Sequence, residues 1–153
     1  MRSLLAQISS PGALSERPAG WALTITRWTS GAIFIAFGAG KFANHASEAS
    51  SFQTYGLPSP GVFADAIGVL ELVGGVLLVL GLGTRAVAVV LAGDMVGAIV
   101  VSGIARGEMI SLTLAPALLV AMLVLLWTGP GAYSLRPSPS AAMRRWSLAE
   151  LLR

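Results

Sequence analysis

The sequence predicts an all-α fold: a bundle of four membrane-spanning helices with its N-terminus and C-terminus both cytoplasmic. Three observations predict it. Of 153 residues, 55% are hydrophobic and only 11% are charged, where soluble domains carry about 25%. The mean hydropathy is +0.78. The apolar residues gather in four stretches, 21–42, 62–82, 85–103 and 109–128. Each is roughly 20 residues long, enough to cross a hydrocarbon core of about 30 Å as a helix.

The first twenty residues read as a cytoplasmic tail. Only a short apolar piece follows Arg2, and Pro11, Glu16, Arg17 and Pro18 break the approach to the first span, so the pattern is not that of a signal peptide. Residues 21–135 form the expected membrane domain. In its first span Ala32, Ala36 and Gly40 recur every fourth residue. The second span holds Gly74 and Gly75, and the third holds Gly93 and Gly97 as a GxxxG pair. Small residues at this spacing let helices approach closely in lipid. They predict a tight bundle, a homo-oligomer or both. Pro116 removes one backbone donor from the fourth span and is expected to bend it.

The largest connection, 43–61, has a Ser- and Ala-rich start that reads as a short interfacial helix. Its Tyr55-Gly-Leu-Pro-Ser-Pro60 end reads as a rigid turn. Residues 136–153 read as a second cytoplasmic tail, with a short helix expected over 146–153.

Orientation follows from the basic residues. Arg2, Arg17, Arg85, Arg136, Arg144, Arg145 and Arg153 fall on one side, Lys41 and Arg106 on the other. The positive-inside rule places the arginine-rich side in the cytoplasm. The net charge of +3 is thereby a topology signal and gives no reason to expect nucleic acid. The lipid bilayer is the expected surrounding, and other membrane subunits or further copies of the chain are the expected partners.

Five ionisable residues lie within the spans: Arg27, Lys41, Asp65, Glu71 and Asp94. Charges are costly there and normally face the bundle interior in pairs. Counting depth along each span predicts an outer ion pair of Lys41 with Asp65. It also predicts an inner cluster of Arg27 with Glu71 and Asp94. Two carboxylates sharing one buried site favour keeping a proton between them. Such a cluster suits the head group of a quinone, one group donating to a carbonyl and another handling a proton. The competing reading is a self-satisfied polar network that fixes helix register.

Other chemistry is narrower. The chain has no cysteine and one histidine, His45. That excludes a thiol centre, a cysteine-held zinc or iron–sulfur cluster and a pair of histidine haem ligands from this chain alone. His45 reads as a surface residue, and no metal site or covalently held cofactor is expected. The chain is thus not a self-sufficient oxidoreductase, and its residues leave open whether it has an activity of its own.

Several ordered pieces resemble the DoxX family. They are Arg27-x-x-x-Gly31-x-x-Phe34-x-x-x-Gly38-x-x-Lys41, the Tyr55–Pro60 turn, Glu71-Leu-Val-Gly-Gly75, Gly81-Leu-Gly-Thr-Arg85, Asp94-Met95 and Gly129-Pro-Gly-Ala-Tyr-Ser-Leu135. They cover about residues 20–136. The resemblance implies a small multi-pass protein of the cell membrane with four helices. It also implies association with membrane redox systems, among them a thiosulfate–quinone oxidoreductase, and with oxidative-stress complexes. It brings no catalytic residue set. Some members carry a histidine late in the third span, where this chain has Ser102 and Gly103. Three functions follow as expectations: an accessory subunit of a redox system that binds a quinone or similar molecule, a structural or assembly subunit, and a small-solute or proton transporter.

Overall fold

The computed structural model describes residues 18–131 and 134, and these hold five helices and no strand. The helix expected over 146–153 lies outside the described residues. Helix α1 is Pro18–Ala43, α2 is His45–Thr54 and α3 is Pro60–Leu80. Helix α4 is Thr84–Gly97 and continues as a π-helix over Ala98–Ile104, and α5 is Met109–Thr128. A short helix is expected at the start of the 43–61 connection, and α2 is a helix there.

Local chemistry explains the boundaries. Pro60 opens α3, where its missing N–H costs nothing. Helix α2 ends with the Leu57 amide donating to the Phe52 carbonyl and the Gly56 amide to Gln53. Helix α3 ends in the same way, Leu82 on Leu77 and Gly81 on Leu78. These paired bonds satisfy the last carbonyls and require a left-handed residue, supplied at Gly81 with φ of 72°. Helix α5 continues through Pro116.

Among the described residues three helical stretches are long and apolar enough to cross a membrane: Pro60–Leu80, Thr84–Ile104 and Met109–Thr128. Helix α1 is 26 residues long but is more polar, carrying Thr24, Thr26, Arg27, Thr29, Ser30 and Lys41. Several hydroxyls are hidden by bonding back one turn, Thr24 to Gly20 and Thr26 to Ala22 in α1, Thr113 to Met109 and Thr128 to Val124 in α5. Such back-bonds satisfy a polar group where water is absent.

Helix α1 packs chiefly on α3, and α4 on α5. Phe34, Leu78, Leu91, Met95, Leu118 and Met122 form the centre of one continuous core. Val69, Val73, Val89, Val90, Val120 and Trp127 point outward, an apolar exterior of the kind that lipid covers.

The α1–α3 seam is built on glycine. A Cβ added to Gly31 would stand 2.8 Å from the Gly75 carbonyl oxygen, and one on Gly38 would stand 2.7 Å from that of Gly68. Gly74 receives Leu91 of α4. The small residues expected to pack the first and third spans do not do so within the chain. Ala32 and Ala36 are exposed, and a Cβ on Gly40, Gly93 or Gly97 meets no atom within 4 Å. The seam runs along Gly31, Phe34 and Gly38 because that face also carries the buried Arg27, which must turn inward.

Candidate functional site

The seam fixes where the charges go. Gly31 faces Gly75 and Gly38 faces Gly68, so Lys41 stands level with Asp65. Helical side chains lean toward the N-terminus of their own helix. In this antiparallel pair, α1 side chains lean away from the α2 end and α3 side chains lean toward it. Lys41 therefore drops to meet Glu71, which rises: Nζ donates to Oε2 at 2.8 Å. The two side chains are 13% and 6% exposed, so the pair is largely shielded from water. Asp65 rises past Lys41 to His45 at the start of α2, with Oδ1 3.2 Å from Nε2. The expected pair of Lys41 with Asp65 is replaced by these two.

The same lean separates Arg27 from the carboxylates. Its guanidinium reaches the opposite end of the bundle, where Nη1 donates to the Pro130 carbonyl at 2.6 Å. A Cβ on Gly81 would stand 2.6 Å from that nitrogen. Arg27 is 1% exposed and holds the start of α1 to the turns that follow α3 and α5. The expected cluster of Arg27 with Glu71 and Asp94 is not formed, because Lys41 lies about 21 Å further along α1 and is the cation that Glu71 meets. Gly81 and Pro130 serve this anchor.

Glu71 and Asp94 do line one cavity. A cavity of about 370 Å³ opens at the α2 end and is lined by Lys41, Glu71 and Asp94 together. Its walls are apolar and aromatic, with Phe34, Phe37 and Phe63 from α1 and α3 and Phe52 and Tyr55 from the α2 segment. Asp94 Oδ2 is buried with no hydrogen-bond partner among the described residues. The π-helical end of α4 supplies Ala98, Val101 and Ser102 to the wall. Such local widening of a helix occurs often at functional sites. Gly93 and Gly97 also line the cavity, so their lack of side chains leaves room there.

Three cavity features were not singled out from the sequence. Glu108, at the start of α5, accepts from Ser111 at 2.8 Å and from the Tyr55 hydroxyl at 3.4 Å, tying the α2 segment to α5. The spacing of Glu108 and Ser111, one helical turn at a helix start, was the available signal. Glu48 of α2 lines the cavity as well. The π-helix leaves no sequence mark that hydropathy can read. No group of three or more His, Asp or Glu able to hold a metal occurs among the described residues.

The DoxX family profile matches residues 22–103, more than half of the chain. This protein belongs to the DoxX family. The match takes in α2, the α1–α3 seam, the Lys41–Glu71 pair and Asp94. The chain is 39% identical over 101 residues to a Mycobacterium tuberculosis protein named "Uncharacterized membrane protein Rv3486", a match covering 55% of this chain and 60% of that protein. It is 40% identical over 76 residues to the Bacillus subtilis protein named "Putative oxidoreductase CatD", covering 50% of this chain and 55% of that one. The matches thus extend over little more than half the length of these relatives. No solved structure matches the chain. Family, helices and relatives together make this a membrane protein that sits in a lipid bilayer.

Proposed function

We propose that this DoxX protein is an accessory membrane subunit of a redox system, and that it holds a quinone or similar lipid-soluble molecule in the α2-end cavity. The observation that carries this reading is the cavity itself. It joins aromatic walls to a buried ion pair and an unsatisfied carboxylate oxygen. Its volume falls in the range of small-molecule sites, about 300–1,000 Å³. The name of the Bacillus subtilis relative, an oxidoreductase, points to the same class of chemistry. With no cysteine and one histidine, electrons must come from a partner protein.

The reading includes a topology. The antiparallel packing of α1 along α3 supports reading α1 as the fourth crossing of a multi-pass cell-membrane bundle. The arginine distribution sets both termini in the cytoplasm and α2 outside. The outward Ala32 and Ala36 of α1 offer a face for a partner subunit or a second copy. A second reading, a non-catalytic assembly subunit, draws on the Lys41–Glu71 pair, which by itself pins the α1–α3 register.

Purification in mild detergent, with mass spectrometry of bound lipids, separates the two readings. The expected result is a quinone-type lipid on the wild type and its loss from Gly97→Leu. That substitution adds bulk at a cavity-lining position where a Cβ meets nothing. A well-folded wild type that carries no such lipid, together with a partner complex unchanged by Gly97→Leu, would establish the assembly reading.

A further inference from the structure

The polar lining of the cavity is lopsided. Four carboxyl side chains, Glu48, Glu71, Asp94 and Glu108, line it with one cation, Lys41. The donors are largely committed. Lys41 donates to Glu71, and the Tyr55 and Ser111 hydroxyls both donate to Glu108. The Ser51 hydroxyl donates to the Ser47 carbonyl at 3.1 Å, which leaves Ser102 as the one lining hydroxyl not already used, against four carboxyl groups. The acceptors are not committed. Asp94 Oδ2 is buried with no partner among the described residues, and a carboxyl group accepts on both oxygens when ionised and keeps acceptor capacity when it holds a proton.

What the cavity holds out to a ligand is therefore mainly acceptor capacity. A quinone head group has carbonyl acceptors only. One carbonyl can take a remaining Lys41 hydrogen, but the other then faces carboxylate oxygens, acceptor against acceptor. The two-electron-reduced form carries hydroxyl donors in the same positions on a ring of the same size. We infer that the cavity selects the reduced form of its carrier, a hydroquinone head group, with Asp94 accepting a hydroxyl hydrogen. The aromatic walls hold the ring. Gly93 and Gly97, exposed and without side chains, leave that wall low toward the bilayer, where an apolar tail can lie. This selection rests on the proposed quinone-type site and adds its redox-state preference.

The test is equilibrium binding to the full chain in lipid nanodiscs under anaerobic conditions. Three probes are compared: a decyl-substituted para-benzohydroquinone, the matching benzoquinone, and the hydroquinone dimethyl ether, which keeps the ring and tail, adds a methyl to each oxygen and loses the donors. The hydroquinone is expected to bind about tenfold or more tightly than either other probe, the discrimination typical of a buried polar group left without its partner. Asp94→Asn, whose amide both donates and accepts, is expected to reduce that preference to about threefold or less. Should Asp94→Asn fail to fold, the wild-type comparison of the three probes decides alone. Equal or tighter binding of the benzoquinone overturns the selection and leaves the quinone-type site standing. Failure of all three probes to bind overturns both. A fourth, cationic probe, 4-decylbenzylammonium, serves as a control: tighter binding of it than of the hydroquinone assigns the carboxylates to a cation and overturns the selection as well.

Discussion

Gly38 and Gly40 are two residues apart on α1, and the structure gives them opposite weights. A Cβ on Gly38 would stand 2.7 Å from both the Gly68 carbonyl oxygen and the Leu72 amide nitrogen. Both are backbone atoms of a helix and cannot turn aside. Relief to an ordinary contact moves α1 from α3 by about 0.7 Å, and a gap of that size forfeits a quarter to a half of each dispersion contact. A seam of about 50 atom pairs, the number made by one buried leucine, then loses about 2–3 kcal/mol. Alanine returns about 0.5–1 kcal/mol in helix propensity. Gly38→Ala should therefore destabilise the protein by about 2 kcal/mol, within the usual range for overpacking. Gly40→Ala meets nothing within 4 Å and should be neutral or more stable by up to about 1 kcal/mol. Reversible unfolding in mixed micelles, followed by tryptophan fluorescence, measures both. Equal losses at the two positions would refute the Gly31–Gly38 seam and return the packing face to Ala32, Ala36 and Gly40.

Other outcomes follow from the same geometry. Lys41→Met leaves Glu71 buried without its cation and should cost about 3–5 kcal/mol, while Lys41→Met with Glu71→Leu should recover most of that loss; a double-mutant cycle on unfolding measures the coupling, and additive losses would contradict a buried pair. Arg27→Met removes the charged donor to Pro130 and should cost about 1.5–3 kcal/mol, with binding per folded molecule unchanged in a titration with the hydroquinone probe. Gly81→Ala sets a side chain at φ of 72° and 2.6 Å from Arg27; a loss of about 1–2 kcal/mol is expected, and the fluorescence-detected unfolding used for Gly38 reads it.

Much of the helical framework was legible because hydropathy and length report directly on lipid. The stretches 62–82 and 109–128 lie within two residues of α3 and α5. The side-chain pairings were not legible. Counting depth places Lys41 level with Asp65, and the seam places it there too. A depth count ignores the opposite lean of side chains on antiparallel helices, which carries Lys41 to Glu71 and Asp65 to His45. The same omission drew Arg27 toward the carboxylates, when its long side chain leans to the Gly81 turn. Spacing alone could not choose between the Ala32–Ala36–Gly40 stripe and the Gly31–Gly38 stripe, since repeats of four and of seven residues both lie near whole helical turns. The need to bury Arg27 on the same face decides it. That Glu71 and Asp94 line one cavity was legible because two carboxylates in apolar spans have few other places to go.

The central claim is that a lipid-soluble carrier occupies the cavity around Lys41, Glu71 and Asp94. Photolabelling tests it most directly, using an azido-substituted hydroquinone with a decyl tail and mapping the label by peptide mass spectrometry. Label is expected on cavity residues such as Phe52, Val101 and Ile110, displaced by unlabelled hydroquinone and lost in Gly97→Leu. Label confined to the apolar groove between α3 and α4, at Val69, Val73 and Val90, and unaffected by Gly97→Leu would contradict it.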